Sequence, residues 1–309
     1  MAWETMKQRR LRTSLTTLGV VIGITAIIAL SSLGEGFRLS IKGRMQQSFE
    51  LDVLTLIPGS LFSGLRPQRF TDSEIENISK IDNVKVASPV IQIGNVTLYD
   101  GDKKCQALVA TAVNFTAFIE AFPDRFEFET GGPPDPEKND TVVIGYKVNH
   151  PNETETSFTE ANRKVNMTMR VPVFPFIKNY SFTVAGTLLK KGTSGLTNFD
   201  HWIFIPRDTA REIYNMSGYQ ISGADLIFVK VFDSAYSESV AKEIEALFPP
   251  YQITVLVPIT FIRQVDFILN GVQIFLISIA SIALLVAGIG IMNIMTVSAV
   301  SYTHLTLPT

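Results

Sequence analysis

Two long apolar stretches frame this chain, and the segment between them carries the shorter alternations of a folded domain. Thr13 to Gly34, TSLTTLGVVIGITAIIALSSLG, holds no charge between Arg12 and Glu35. At about 1.5 Å of rise per residue, a helix of this length covers the roughly 30 Å hydrocarbon core of a bilayer. A second charge-free stretch runs from Phe267 to Val300. The pattern predicts membrane helices over 13–34 and 271–298, so that everything between them lies on one side of the membrane. A cleaved signal peptide is the alternative for the first stretch, given its basic lead and the small residues at Ala29-Leu30-Ser31. Its apolar run exceeds the about 7–15 residues of a usual signal core, which favours a retained helix.

Both helices are predicted to continue past the membrane as stalks. Phe37, Ile41, Met45 and Phe49 recur every four residues, while Arg38, Lys42 and Arg44 fall on other faces. This gives a first stalk over 35–49. Thr260 reads as an N-cap with a helix following from Phe261, and Val265, Ile268 and Leu269 lie on its apolar side. Arg263 and Asp266 are polar in its first turns, and the second stalk covers 259–270. Inside the membrane, Gly19 and Gly23 have the small-xxx-small spacing that lets helices approach closely. Ala280, Ala283 and Ala287, with Gly288 and Gly290 beside them, form a second packing surface of the same kind.

Residues 50–258 alternate strands and helices. Asp52–Ile57 reads as a strand, and Thr71-Asp-Ser-Glu74 is a capping box that opens a helix to about Ile81. Val84–Val90, Ile91–Tyr99 and Ala107–Ala112 are strand runs, with a turn at Asp100-Gly101. From about 123 to 180 the texture becomes loop-rich and polar, and this stretch is predicted to be an inserted, exposed subdomain. Strands resume at Ser181–Leu189, Trp202–Ile205, Asp225–Phe232 and Ile253–Val257, with helices after Pro206 and over Ser237–Phe248. The predicted fold class is a two-part α+β extracytoplasmic domain, with its insertion, held between two transmembrane helices by helical stalks.

Charge placement orients this plan. The net charge of −2 gives no basic field and no case for a nucleic-acid partner. Ahead of Thr13 lie Lys7, Arg9, Arg10 and Arg12 against one acid, Glu4, whereas residues 37–270 hold 27 acids and 23 bases. The positive-inside rule therefore places residues 1–12 in the cytoplasm and 37–270 outside a multi-pass plasma-membrane protein. Asn-x-Ser/Thr sequons agree independently. They begin at Asn77, Asn95, Asn114, Asn139, Asn152, Asn166, Asn179 and Asn215, eight of the thirteen asparagines between 37 and 270, where chance gives about two. These eight are glycosylation candidates on an exported face. The single cysteine, Cys105, excludes an intrachain disulfide.

Candidate chemistry is sparse. No G-x-x-x-x-G-K-[ST] pattern occurs, so no P-loop nucleotide site is expected on this chain. His150, His201 and His304 lack ligand-spaced partners, and Asp135, Glu137 and Asp140 lack the order of a calcium loop; both sets read as surface residues, with no metal site. No G-x-S-x-G or Cys-His signature supports hydrolysis. Phe115, Phe118, Phe122, Phe126 and Phe128 are expected to be core rather than a cleft for a lipid or peptide. The sequence predicts no enzyme, no catalytic residue and no bound cofactor.

Three groups of motifs carry a family resemblance. Leu11–Gly36, LRTSLTTLGVVIGITAIIALSSLGEG, resembles the first membrane segment of MacB/FtsX-type ABC transporter permeases, and Ala283–Ser298, ALLVAGIGIMNIMTVS, is similar to their second. VVIGYKV at Val142–Val148, SFTVAGTLLKKG at Ser181–Gly192 and WIFIPRDTAREIY at Trp202–Tyr214 fall in the order of that family's extracytoplasmic core domain. The resemblance implies a homodimer or paired permeases, driven by a separate cytoplasmic ABC ATPase that binds ATP and Mg, and a possible secreted or envelope partner. It implies movement of peptide, antibiotic or lipid-linked cargo at the outer face, or, in an FtsX-like alternative, signalling to an envelope partner without transport. A prokaryotic architecture with eight sequons also points to an archaeal source. The family's second helix leads into a charged coupling segment and two further membrane helices. Here Ser298 is followed by AVSYTHLTLPT, and residues 271–309 hold no Asp, Glu, Lys or Arg. The expectation is a C-terminally truncated permease whose residues 299–309 are a non-native tail.

Overall fold

The computed structural model describes residues 2–48, 50–59, 69–151, 157–170, 177–192, 197–216 and 221–305. In chain order the first elements are α1 (Ala2–Ser48), β1 (Val53–Pro58), α2 (Asp72–Ser79), β2 (Val84–Asp100), β3 (Lys103–Val113), α3 (Phe115–Ala121), β4 (Phe128–Gly131) and β5 (Thr141–Ile144). There follow α4 (Tyr146–Asn149), β6 (Lys164–Arg170), β7 (Ile177–Leu188), β8 (Trp202–Pro206), α5 (Arg207–Met216), β9 (Leu226–Val231), α6 (Ser237–Ala246), β10 (Ile253–Leu256) and α7 (Pro258–Leu305). These form two units: residues 1–45 with 262–309, and residues 46–261.

The second unit is organised around β2, which at seventeen residues is long enough to belong to two sheet regions at once. Its first half, Val84–Val90, pairs antiparallel with β9 and completes the order β10-β1-β9-β2. Alternation along these strands decides what each face covers. Leu54 and Leu56 of β1, with Ile227 and Val229 of β9, pack under α2 and α6 against Ile78, Val240 and Ile244. Val53 and Phe228, one position out of step, point to the opposite face and meet α3. The helix α2 starts where the chain supplies a cap: Thr71 Oγ1 accepts from Glu74 N, and Glu74 Oε2 accepts from Thr71 N at 2.7 Å.

The second half of β2 enters a closed ring. It pairs with β3, β3 runs parallel to β8, and β8 pairs with β5. The strand β5 runs parallel to β7, β7 pairs with β6, and β6 returns to β2 through Thr97↔Thr168, Leu98↔Met167 and Tyr99↔Asn166. Six strands thus form a small barrel, which removes the unpaired edges an open sheet would leave. Ile91, Leu98, Met167, Phe182, Val184 and Ile203 fill its interior. Between barrel and sheet sits an aromatic core. Phe118 is fully buried, with the rings of Phe122, Phe126, Phe199, Phe204 and Phe228 at 5.0, 5.6, 5.4, 5.5 and 5.8 Å. Cys105 is buried, and its Sγ–H donates to the Val148 carbonyl at 2.8 Å. Burial pushes its thiol pKa up.

The structure departs from the sequence expectations at three places. Val84–Val90 and Ile91–Tyr99 are one strand, because nothing between them forces a turn. The stretch 123–180 is no separate exposed subdomain. It supplies β4, β5, β6 and the start of β7, all paired into the common sheet, and its polar texture reflects outward-facing barrel positions and loops. Helix α7 begins at Pro258 rather than at Phe261. Proline suits the first turn, where its missing N–H has no partner to lose, and Thr260 Oγ1 donates to the Val257 carbonyl at 2.7 Å instead of capping.

Candidate coupling site

The first unit is a pair of long helices, and the side chains that meet between them recur every seven residues. On α1 the half-buried positions include Gly23, Ile27, Leu30, Gly34, Arg38, Ile41 and Lys42. On α7 they include Asp266, Gln273, Ala280 and Ala287, and Asn270, Ile277, Leu284 and Ile291, two series each spaced by seven. A seven-residue repeat keeps one seam facing its partner along the whole length of a helix pair. Named contacts fix the antiparallel register. A Cβ on Gly23 would lie 2.8 Å from Leu284 Cδ1, and one on Gly34 would lie 3.5 Å from Gln273 Cγ. Arg38 Nε donates to Asp266 Oδ1 at 2.9 Å, and Lys42 Nζ lies 3.5 Å from Asp266 Oδ2. Glu35 completes the cluster, 3.2 Å from Arg38. From Gly23 to Lys42 the seam is about 28 Å long at 1.5 Å per residue. Both helices are long and apolar enough to cross a membrane, with mean hydropathy 2.1 over Thr17–Gly43 and 2.7 over Pro258–Asn293.

The sequence-derived packing residues divide between this seam and the outside. Gly23, Ala280 and Ala287 lie on it. Gly19, Ala283, Gly288 and Gly290 are exposed, and no atom lies within 4 Å of a Cβ built on any of the three glycines. Of the stalk residues, Ile41 and Val265 are half-buried, whereas Phe37 is 59% and Phe261 40% exposed. The side chain of Met45 and the whole of Phe49 lie outside the described residues. Arg38 and Lys42, assigned from the sequence to other faces, are on the seam. A 3.6-residue apolar stripe selects Phe37, but the Asp266 carboxylate in the facing helix holds the two cations inward. The available signal was the matched position of Asp266, five residues before the apolar stretch, and of Arg38, four residues after the other.

Within the second unit, the residues that follow α1 are clamped to the domain. Lys230 Nζ lies 3.0 Å from Asp52 Oδ2, Val231 N donates to the Asp52 carbonyl at 2.8 Å, and Ser237 Oγ donates to the Leu51 carbonyl at 3.1 Å. The buried Arg125 reaches Glu50 at 3.8 Å, donates to the Gly192 carbonyl at 3.0 Å and stacks 4.4 Å over the Phe199 ring. Burial lowers its pKa, opposed by the charges of Glu50 and Asp200. Residues 50–52 are thus tied into the second unit by two hydrogen bonds and two ion pairs. Among the described residues, no group of His, Cys, Asp and Glu is arranged to hold a metal.

The glycosylation candidates Asn77, Asn114, Asn139, Asn166, Asn179 and Asn215 are all exposed. Asn95 lies in β2 with its side chain outside the described set, and Asn152 lies outside the described residues altogether.

A strand-rich domain joined at both ends to long apolar helices defines a membrane-anchored protein with an extracytoplasmic module. The family model for the MacB-like periplasmic core domain matches residues 13–247, and the chain belongs to that family. It is 26% identical over 310 residues to an uncharacterized ABC transporter permease of Methanocaldococcus jannaschii, covering 96% of this chain and 70% of the relative. It is 27% identical over 323 residues to the macrolide export ATP-binding/permease protein MacB of Wolinella succinogenes, covering 98% of this chain but only 46% of that one. The pyoverdine export ATP-binding/permease protein PvdT of Pseudomonas syringae pv. syringae is 28% identical over 311 residues, with 95% of this chain and 43% of the relative covered. The crystallised periplasmic region of MacB from Actinobacillus actinomycetemcomitans shares the fold, with a TM-score of 0.50 at 13% identity over 71% of this chain and 94% of that one. The chain is therefore a permease of the MacB family of ABC transporters, with an α+β extracytoplasmic domain.

Proposed function

We propose that this permease couples ATP hydrolysis by a separate cytoplasmic ATPase subunit to movement of its extracytoplasmic domain, and that this movement exports or extracts a peptide, antibiotic or lipid-linked cargo. The observation that carries the reading is the continuous antiparallel helix pair, closed by the Arg38–Asp266–Lys42 cluster, together with the clamped residues 50–52. A displacement imposed at one end of two packed helices is transmitted along them, because an unbroken hydrogen-bonded helix has no soft joint. The Methanocaldococcus jannaschii relative, 70% covered, is named a permease alone, which supports an ATPase on another chain. ATP and Mg are proposed to reside there. A nucleotide cycle shifts the domain only if the ATPase binds the two helix arrangements with different affinity. A second permease copy is proposed to complete the transporter, and the basic lead Lys7–Arg12 supports a cytoplasmic N-terminus.

The test combines turnover with topology. Reconstituted with its ATPase in vesicles, the permease is expected to raise ATP hydrolysis above that of the ATPase alone. In intact cells, with Cys105 replaced, a membrane-impermeant maleimide is expected to label Lys103→Cys but not Lys7→Cys. The reversed labelling pattern, or a turnover indifferent to the permease, overturns the reading.

A further inference from the structure

Two of the eight sequons and the threonine that closes a third meet on one face of the barrel, although the sequence scatters them over 85 residues from Thr97 to Ser181. The strands β2, β6 and β7 are neighbours, and their register lines up sequon with sequon. Thr97, which ends the first sequon, pairs with Thr168, which ends the second, and Thr168 pairs with Asn179, which begins the third. In the next row Asn166 pairs with Ser181. The sequons on β6 and β7 are reciprocal: Thr168 Oγ1 donates to Asn179 Oδ1 at 2.8 Å, and Ser181 Oγ donates to Asn166 Oδ1 at 2.6 Å. Strand alternation keeps all of this outside, since Leu98, Met167 and Phe182 between them fill the barrel interior.

All six sequon asparagines with described side chains are open to solvent, as are Asn83 and Asn162, which head no sequon. Asn149, which also heads no sequon, is buried with its Oδ1 accepting from Thr159 N. We propose that the β6–β7 face carries two neighbouring N-linked oligosaccharides, on Asn166 and Asn179, making it a glycan-covered face of the transporter. The reading rests on the extracytoplasmic placement of the domain. The donor class is a polyprenyl-phosphate-linked oligosaccharide. Asn Nδ2 forms a bond to the sugar's anomeric carbon, the C1–O bond to phosphate breaks with its electron pair leaving on the lipid phosphate, and one amide proton is released. Both cross-strand hydrogen bonds use Oδ1, the atom that this linkage leaves in place, so neither bond has to break for Nδ2 to be glycosylated. Diagonal neighbours on paired strands lie about 7–8 Å apart, close enough for two glycans to shield one continuous patch.

The test is glycopeptide mass spectrometry on the full chain purified from its native membranes. Peptides carrying Asn166 and Asn179 are both expected to bear an oligosaccharide. N166Q and N179Q should each remove one glycan's mass, T168V should remove the glycan on Asn166, and T168S should keep it. Maleimide labelling of Lys103→Cys in the same cells separates the two readings. Bare peptides at both positions, or a glycan at one alone, in a chain whose Lys103→Cys is labelled from outside overturn the proposal. Bare peptides in a chain not labelled from outside overturn the topology along with it.

Discussion

Replacing Ile41 by proline interrupts the helix pair at one point while leaving both units otherwise intact. In α1 the Ile41 N–H belongs to the unbroken run from Ala2 to Ser48, and its side chain is half-buried on the seam, between Arg38 and Lys42. Proline removes the hydrogen bond to the Phe37 carbonyl and drives its ring into that carbonyl, a cost of about 3 kcal/mol or more in a helix interior. At about 1.4 kcal/mol per factor of ten, the straight helix then loses on the order of a hundredfold in population against a kinked one. The break falls a single turn from the Arg38–Asp266 pair, so α1 stays helical on either side of it but is no longer one straight rod. In proteoliposomes with the ATPase, ATP turnover and cargo release or partner activation are measured together. Turnover is expected to persist while output per ATP falls steeply. The control Ile41→Ala keeps the hydrogen bond and helix propensity and should retain most of the coupling. Full output per ATP in Ile41→Pro would refute the rod mechanism.

Three further outcomes follow from the domain and the seam. Phe118→Ala in a domain of residues 46–261, expressed alone, should cost about 3–5 kcal/mol. At about 2–4 °C per kcal/mol for a domain of this size, its melting midpoint should drop by roughly 6–20 °C in a calorimetric scan, still in one cooperative transition; a non-cooperative melt of the parent domain would contradict an independent fold. Cys105 should resist maleimide in the folded protein at neutral pH and react once denaturant exposes it, because burial both shields the thiol and raises its pKa; fast labelling of the native protein would contradict the barrel interior. Gly23→Leu should weaken the helix pair, since its side chain must displace the Leu284 methyl. A disulfide engineered between Gly34→Cys and Gln273→Cys should then form more slowly, and unchanged rates would mean that the seam does not run through Gly23.

The parts of this architecture written in local pattern were legible in the sequence. Thr71 and Glu74 announce their helix because a capping box is complete within four residues. The alternation of Leu54 and Leu56 against Val53 shows which way β1 faces before its partners are known. The closure of the barrel was not legible. It depends on β2 meeting β6 some seventy residues on and on β3 lying parallel to β8, and the same alternation would serve an open sheet equally well. For that reason the stretch 123–180 looked like an insertion, although it holds the strands that close the ring. The seam hid for a different reason. An apolar stripe at helical spacing points to Phe37, but charges on one helix are placed by charges on the other, and Asp266 lies 228 residues from Arg38. The two sequons on β6 and β7 were each visible, whereas their cross-strand reciprocity exists only in the register.

The central claim is that nucleotide binding on the partner ATPase moves this chain's extracytoplasmic domain. Pulsed electron paramagnetic resonance between spin labels at Lys242→Cys, an exposed position on α6, in the two permease copies of the reconstituted transporter measures that movement directly, with Cys105 replaced by alanine. The account predicts that the distance distribution shifts when ATP is trapped on the ATPase and returns when nucleotide is removed, and that Ile41→Pro abolishes the shift while ATP still binds. A distribution that stays fixed through the nucleotide cycle, in a transporter that is hydrolysing ATP, would contradict it.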